Sequence, residues 1–132
     1  MAKGKFVVKT TPKGGFRFNL VASNGQVIAT SQTYKSKASC INGLESVRKN
    51  SEIAKIEDQT VDPIDKKTNP KFEMYKDKAG EFRFRLKARN GEIIAVSEGY
   101  KAKVSCINGM ESVKNHAPEA EIVDTSLEEA KE

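Results

Sequence analysis

The chain has 132 residues, 37% hydrophobic and 31% charged, with a net charge of +5. That length suits one ordinary domain or two very small ones, and nothing approaches the ~20 apolar residues of a membrane-spanning helix. The N-terminal MAKGKFVVKT is basic, without an apolar run or a small-residue cleavage site, so the expectation is a cytoplasmic protein with no signal peptide and no membrane contact.

In chain order, Lys5–Lys9 (KFVVK) is short, β-branched and aromatic, and reads as an opening strand. TPKGG at 11–15 supplies turn chemistry. Phe16, Phe18, Leu20 and Ala22 then alternate with Arg17, Asn19, Val21 and Ser23, the period of a half-buried strand. Asn24-Gly25 predicts a two-residue type I′ hairpin, which sets Ala22 opposite Val27, Leu20 opposite Ala29 and Phe18 opposite Ser31. After Tyr34-Lys35-Ser36-Lys37 comes a helix with an apolar stripe of Cys40, Ile41, Leu44 and Val47. Ser36 suits its N-cap. Gly43 in mid-helix costs roughly 0.5–1 kcal/mol relative to alanine, which points to close approach of the helix to the sheet or to another helix. Ala54–Asp58 reads as a fourth strand, and Thr60–Pro70 as a polar linker.

The pattern then starts again. FRFNLVASNGQVIATSQTYKSKASCINGLESV at 16–47 and FRFRLKARNGEIIAVSEGYKAKVSCINGMESV at 82–113 align without a gap at a constant offset of 66. Such a repeat fixes the architecture before any propensity is consulted. The second copy places Ala88 opposite Ile93, Leu86 opposite Ala95 and Phe84 opposite Ser97; its Ala102 cannot cap with a side chain. Predicted boundaries are 1–59 for the first repeat, 60–70 for the linker, 71–124 for the second repeat and 125–132 for an acidic tail. A unit of ~60 residues is marginal alone, so the two repeats are expected to share one core.

Taken together, FRFxLxAxNG, IAxS, YKxK and SCINGxESV resemble the YegP-like family of small bacterial proteins. The resemblance covers both repeats. It implies an α+β fold of two tandem β-β-β-α-β repeats forming one antiparallel sheet, with two helices on one face and C-terminal strands swapped between repeats. It brings no established biochemical activity. The swap also makes physical sense, because exchanging edge strands ties two marginal halves into one core.

Chemistry is sparse. Cys40 and Cys106 occupy equivalent positions without a histidine partner and read as buried small hydrophobes. The single histidine, His116, has Asn50 as its counterpart and reads as a surface or helix-end residue. Glu45 with Ser46, and Glu111 with Ser112, read as solvated helix faces. No ligand spacing suggests a metal or cofactor, and the chain is expected not to be an enzyme.

Two surfaces remain. Arg83, Arg85, Lys87 and Arg89 alternate along one strand and project from the outer face, where a row of cations can track a phosphate backbone. The first copy offers Arg17 alone, and the inferred register sets Arg89 opposite Glu92 and Arg83 opposite Glu98, neutralising two of the four. Val21, Ile28, Ile94 and Val96 are placed on the same face as an apolar strip suited to a protein partner. Lys35, Lys37, Lys101 and Lys103, beside the helix N-termini, are read as pointing into water. The resulting expectation is a small monomeric binding or interaction module whose two repeats mimic a dimer, with an unidentified partner. Weak, non-specific nucleic-acid binding through the basic face is the alternative.

Overall fold

The computed structural model describes residues 4–125, so the tail read at 125–132 lies, beyond Thr125, outside the described residues. The first repeat runs β1 (Lys5–Thr10), β2 (Phe16–Val21), β3 (Val27–Thr30), α1 (Lys37–Ile53) and β4 (Lys55–Asp58). The second runs β5 (Lys71–Lys76), β6 (Phe82–Lys87), β7 (Ile93–Val96), α2 (Lys103–His116), a 3₁₀ turn at Ala117–Glu119 and β8 (Glu121–Asp124). Among the described residues no helix is long and apolar enough to cross a membrane.

All eight strands form one sheet in the order β4-β5-β6-β7-β3-β2-β1-β8. The C-terminal strands are exchanged: β4 pairs with β5 of the second repeat, and β8 pairs with β1 of the first. Both of these edge pairings are parallel, so the sheet is mixed where an antiparallel one was expected. A parallel neighbour requires a crossover of a dozen or more residues, and the linker between β4 and β5 has that length.

The exchange is clasped by ion pairs. Lys37 at the start of α1 meets Asp124 at the end of β8 at 2.8 Å, and Lys103 of α2 meets Asp58 of β4 at 2.6 Å. These two lysines, read as solvent-directed, instead hold the swapped strands. Lys114 of α2 also donates to the Ala54 carbonyl at 2.7 Å, just before β4.

Both helices lie on the sheet face that carries Phe6, Val8, Phe18, Leu20, Phe72, Met74, Phe84 and Leu86, each at most 1% exposed. Burying one such side chain contributes roughly 1.5–3 kcal/mol. Helix α1 packs on β2 of its own repeat and β7 of the other, while α2 packs on β6 and β3. The core is therefore shared, and neither repeat closes it alone.

The mid-helix glycines answer the expected close approach to the sheet, made through a tyrosine bridged to Phe16 or Phe82. A Cβ on Gly109 would lie 2.6 Å from the Tyr100 hydroxyl and 3.1 Å from Phe84 Cε2; one on Gly43 would press on the Tyr34 hydroxyl and stand 2.7 Å from its Cζ. Each helix thus passes over the tyrosine that precedes it, and that tyrosine stacks on the inner phenylalanine of β2 or β6 with centroids 6.5 Å apart.

The Asn-Gly hairpins overturn a residue-level expectation. Positive φ occurs at Gly25 (89°) and Gly91 (88°) but at no non-glycine residue among those described, so neither is a type I′ turn. Gly25 N–H donates to the Ala22 carbonyl at 2.9 Å and Ala22 N–H to the Gln26 carbonyl at 2.8 Å, closing a three-residue loop with a left-handed glycine. Asn24 Oδ1 accepts the Gln26 N–H, as Asn90 Oδ1 accepts that of Glu92, both at 3.0 Å.

A bulge then shifts the register. Val21 pairs with Val27 and Lys87 with Ile93, whereas the expected Leu20–Ala29 and Leu86–Ala95 pairs stand. The extra residue breaks the alternation. Ile28 (6% exposed) and Ile94 (5%) are consequently buried on the helix side, not outward, and Val27 (42%) and Ile93 (41%) take the outer positions.

Candidate functional site

Three of the outer-face cations already have carboxylate partners. Arg85 Nε lies 2.6 Å and Lys87 Nζ 3.3 Å from Glu73, and Arg83 Nε lies 2.6 Å from Asp77. Lys71 bridges Glu73 at 3.2 Å and Glu57 at 2.8 Å. The expected partners Glu98 and Glu92 are not used: Arg83 turns to Asp77, just past β5, and Arg85 and Lys87 to Glu73 of β5. Arg89 falls in the hairpin loop beyond β6, exposed and without an ion pair among the described residues; Arg17 is exposed on β2.

Glu57 and Glu73 are 2% and 3% exposed. The linker helps to cover them, with Lys67 N–H donating to Glu57 at 2.7 Å. Burial pushes the Glu57 carboxyl up, but hydrogen bonds from Lys71, Gln59 and the Lys67 N–H outweigh it and hold its pKa at about 2. Burial opposes ionisation of Glu73 as well, and Arg85 and Lys71 again win, so its pKa is lowered. The network sets the three cations Lys71, Arg85 and Lys87 against two carboxylates, so most but not all of its positive charge is balanced. In the first repeat the positions of Glu73, Arg85 and Lys87 are Val7, Asn19 and Val21, so that half of the face is apolar instead. Val21, Val27, Ile93 and Val96 lie along it; Ile28 and Ile94 do not.

Among thiols and bases, Cys40 and Cys106 are free and fully buried, and burial pushes both thiols up to about 11. Neither is a nucleophile near neutral pH. His116 closes α2 as expected but is buried, 8% exposed, rather than on the surface. Its Nδ1 lies 2.8 Å from the Ser112 carbonyl oxygen and its Nε2 3.4 Å from Ser23 Oγ of the first hairpin. Asn50 makes the equivalent bond to the Ser46 carbonyl at 2.7 Å. Ser46 and Ser112 therefore sit in built environments, not on featureless solvated faces.

Among the concave features of the described residues, two clefts on the helix side are related by the repeat. One, of about 520 Å³, has a wall of Tyr100, Ser105, Asn108, Gly109 and Ser112 from the second repeat. The other, of about 230 Å³, has Tyr34, Ser39, Asn42, Gly43 and Ser46 from the first. The facing wall is in each case the hairpin of the opposite repeat: Ala22, Asn24, Gln26 and Ile28 for the larger cleft, Ala88, Asn90, Glu92 and Ile94 for the smaller. These nine positions correspond one to one at the offset of 66, and only Gln26/Glu92 differs in identity.

Local structure places each group. Tyr34 and Tyr100 are pinned by bridges to Phe16 and Phe82, and stand half-buried beside the helical glycine. Burial raises the pKa of both hydroxyls, which remain protonated and able to donate near neutral pH. Asn42 and Asn108, one residue before the glycine, are exposed, and their side chains make no hydrogen bond among the described residues. The bulge that turned Ile28 and Ile94 inward supplies each cleft's apolar floor. Chemically, each cleft offers a phenol, amides and hydroxyls, and neither lining contains a Lys or Arg. Among the described residues no group of three or more His, Cys, Asp or Glu side chains is placed to hold a metal ion.

These repeated features have relatives. The model of DUF1508, a domain described as of unknown function, matches residues 13–58 and again 77–124. The chain belongs to that family, in two copies. It is 40% identical over 121 residues to a UPF0339 protein of the ptx operon 5′ region in Stutzerimonas stutzeri, covering 92% of this chain and 96% of that one. It is 39% identical over 127 residues to the UPF0339 protein YegP of Yersinia pestis, covering 96% and 100%. A UPF0339 protein of Agrobacterium fabrum is about one repeat long: 65% identity over 54 residues covers 41% of this chain and 87% of it. The fold is similar to the solution NMR structure of the Shewanella oneidensis UPF0339 protein, with a TM-score of 0.79 and 31% identity over 96% of this chain and 94% of that one. The Escherichia coli yegP structure gives 0.77 and 32%, over 96% of each chain.

Proposed function

We propose that the protein is a non-catalytic binding module whose ligand sites are the two equivalent inter-repeat clefts. One observation carries this: Ser39, Asn42 and Ser46, and their partners Ser105, Asn108 and Ser112, are polar helix residues repeated without change, and they line the clefts. The helix stripe needs Cys, Leu or Met, and Val; it does not need Asn beside Gly. Thiols buried at 0% exposure and a single histidine tied to a helix end support a binding role over catalysis.

A small-molecule library titrated against ¹⁵N-labelled protein tests the proposal. Hits should shift the side-chain amides of Asn42 and Asn108 and the backbone amides of Gly43 and Gly109, with Asn108→Ala weakening binding at the larger cleft roughly tenfold, about the loss expected for one hydrogen bond. Shifts confined to Arg17, Arg83 and Arg89 on the outer face would overturn it.

A further inference from the structure

The two clefts agree in a property that the sequence reaches by different routes. Across the 66-residue offset, position 26 is Gln and position 92 Glu, while position 32 is Gln and position 98 Glu. The larger cleft therefore combines Gln26 from the opposite hairpin with Glu98 from its own repeat. The smaller takes Glu92 from the opposite hairpin, and Gln32, the counterpart of Glu98, is not in its lining. The carboxylate has changed walls between the copies, and the lining of each cleft retains one carboxylate beside the tyrosine. A merely solvated surface gives no reason for that balance. Neither Glu92 nor Glu98 forms an ion pair among the described residues, although the chain as a whole carries +5.

We infer that each cleft takes a cationic hydrogen-bond donor, an alkylammonium or guanidinium group, held by its single carboxylate (Glu98 or Glu92) and by the neutral oxygens around it. This rests on the clefts being the ligand sites. A carboxylate without a cationic neighbour in the lining repels anions and favours a positive group, and the charge-assisted bonds it makes are stronger than neutral ones. The side-chain oxygens of Asn108, Ser105 and Gln26, or of Asn42 and Ser39, accept the remaining donor hydrogens. Ile28 or Ile94 contacts the alkyl stem. Because the walls come from opposite repeats, one chain binds two such groups.

The experiment uses the full chain and N-acetyl-argininamide, with the uncharged N-acetyl-glutaminamide and the anionic N-acetyl-glutamate as comparators, up to about 50 mM. That range exceeds the millimolar affinity expected of one exposed carboxylate aided by neutral hydrogen bonds. The arginine probe should shift the side-chain amides of both Asn42 and Asn108. Glu98→Gln should weaken binding at Asn108 at least tenfold and leave Asn42 unchanged, and Glu92→Gln should do the reverse. Equal shifts from the neutral or anionic probe, indifferent to Glu98→Gln, would overturn the cation assignment while leaving the clefts as ligand sites. Shifts from every probe confined to residues outside both clefts would overturn both.

Discussion

Replacing Glu73 with alanine should lower the unfolding free energy by about 2–3 kcal/mol, read as a fall in the urea midpoint. Its carboxylate, 3% exposed, is the shared acceptor for Arg85, Lys71 and Lys87. Removing one partner of a buried ion pair typically costs ~3–5 kcal/mol, because the remaining charge is left uncompensated. The expected loss is smaller because the Arg85 and Lys87 side chains are 30% and 26% exposed and regain water. Arg85 also keeps its place over the Tyr75 ring, 4.7 Å from the centroid. The first repeat supplies the complementary variant. The combination Glu73→Val, Arg85→Asn and Lys87→Val installs the residues found at Val7, Asn19 and Val21. Because replacing a whole ion network is often neutral or stabilising, this triple variant should recover most of the single variant's loss. A Glu73→Ala protein with an unchanged midpoint would show that the network contributes nothing to stability.

Gly43→Ala should destabilise the protein by about 1–2 kcal/mol, against the sense of helix propensity. In an open helix the change gains up to ~1 kcal/mol. Here the new Cβ presses on the Tyr34 hydroxyl and stands 2.7 Å from Cζ, and the ring cannot swing away because it is stacked on Phe18. Overpacking of this kind costs ~1–3 kcal/mol. The cause is separable by a double-mutant cycle. In a Tyr34→Val background the obstruction is gone, and Gly43→Ala should become neutral or stabilising. A raised urea midpoint for Gly43→Ala with Tyr34 in place would mean that the tyrosine yields and that the glycine answers no packing demand.

The parts of this fold that were legible in the chain are those governed by local periodicity. The alternation of Phe16, Phe18 and Leu20 placed the inner row, and the stripe through Cys40, Leu44 and Val47 placed the helix. The hairpin was harder, because Asn-Gly serves both a two-residue turn and a three-residue loop ending in a left-handed glycine. The choice between them places a bulge beside the loop and changes the face of the residues there, while the pairs from Leu20–Ala29 and Leu86–Ala95 onward keep their register. That is why Ile28 and Ile94 were placed outward and are buried. The ion partners of Arg83 and Arg85 escaped for a different reason: register was extended from β6 toward β7, while Asp77 and Glu73 lie on the β5 side. The clefts left a signal that went unread. Asn42 and Asn108 are identical polar residues at helix positions where the fold asks for no particular side chain, and identity without a packing reason marks a surface with another demand on it. What no local pattern contains is the facing wall, since each helix meets the hairpin of the other repeat.

That inter-repeat construction is the central claim, and it has a direct test. Residues 60–125 expressed as a separate chain lack β1, the strand on which β8 pairs in the intact protein. Their β8 must then find the β5 edge of a second copy, as β4 does here, giving a twofold dimer with both clefts rebuilt. The one-repeat length of the Agrobacterium fabrum relative fits such an assembly. Sedimentation velocity on this fragment should give the mass of a dimer with the far-UV circular dichroism of the intact fold. A folded, stable monomer would contradict the shared core and, with it, the clefts that the two repeats build together.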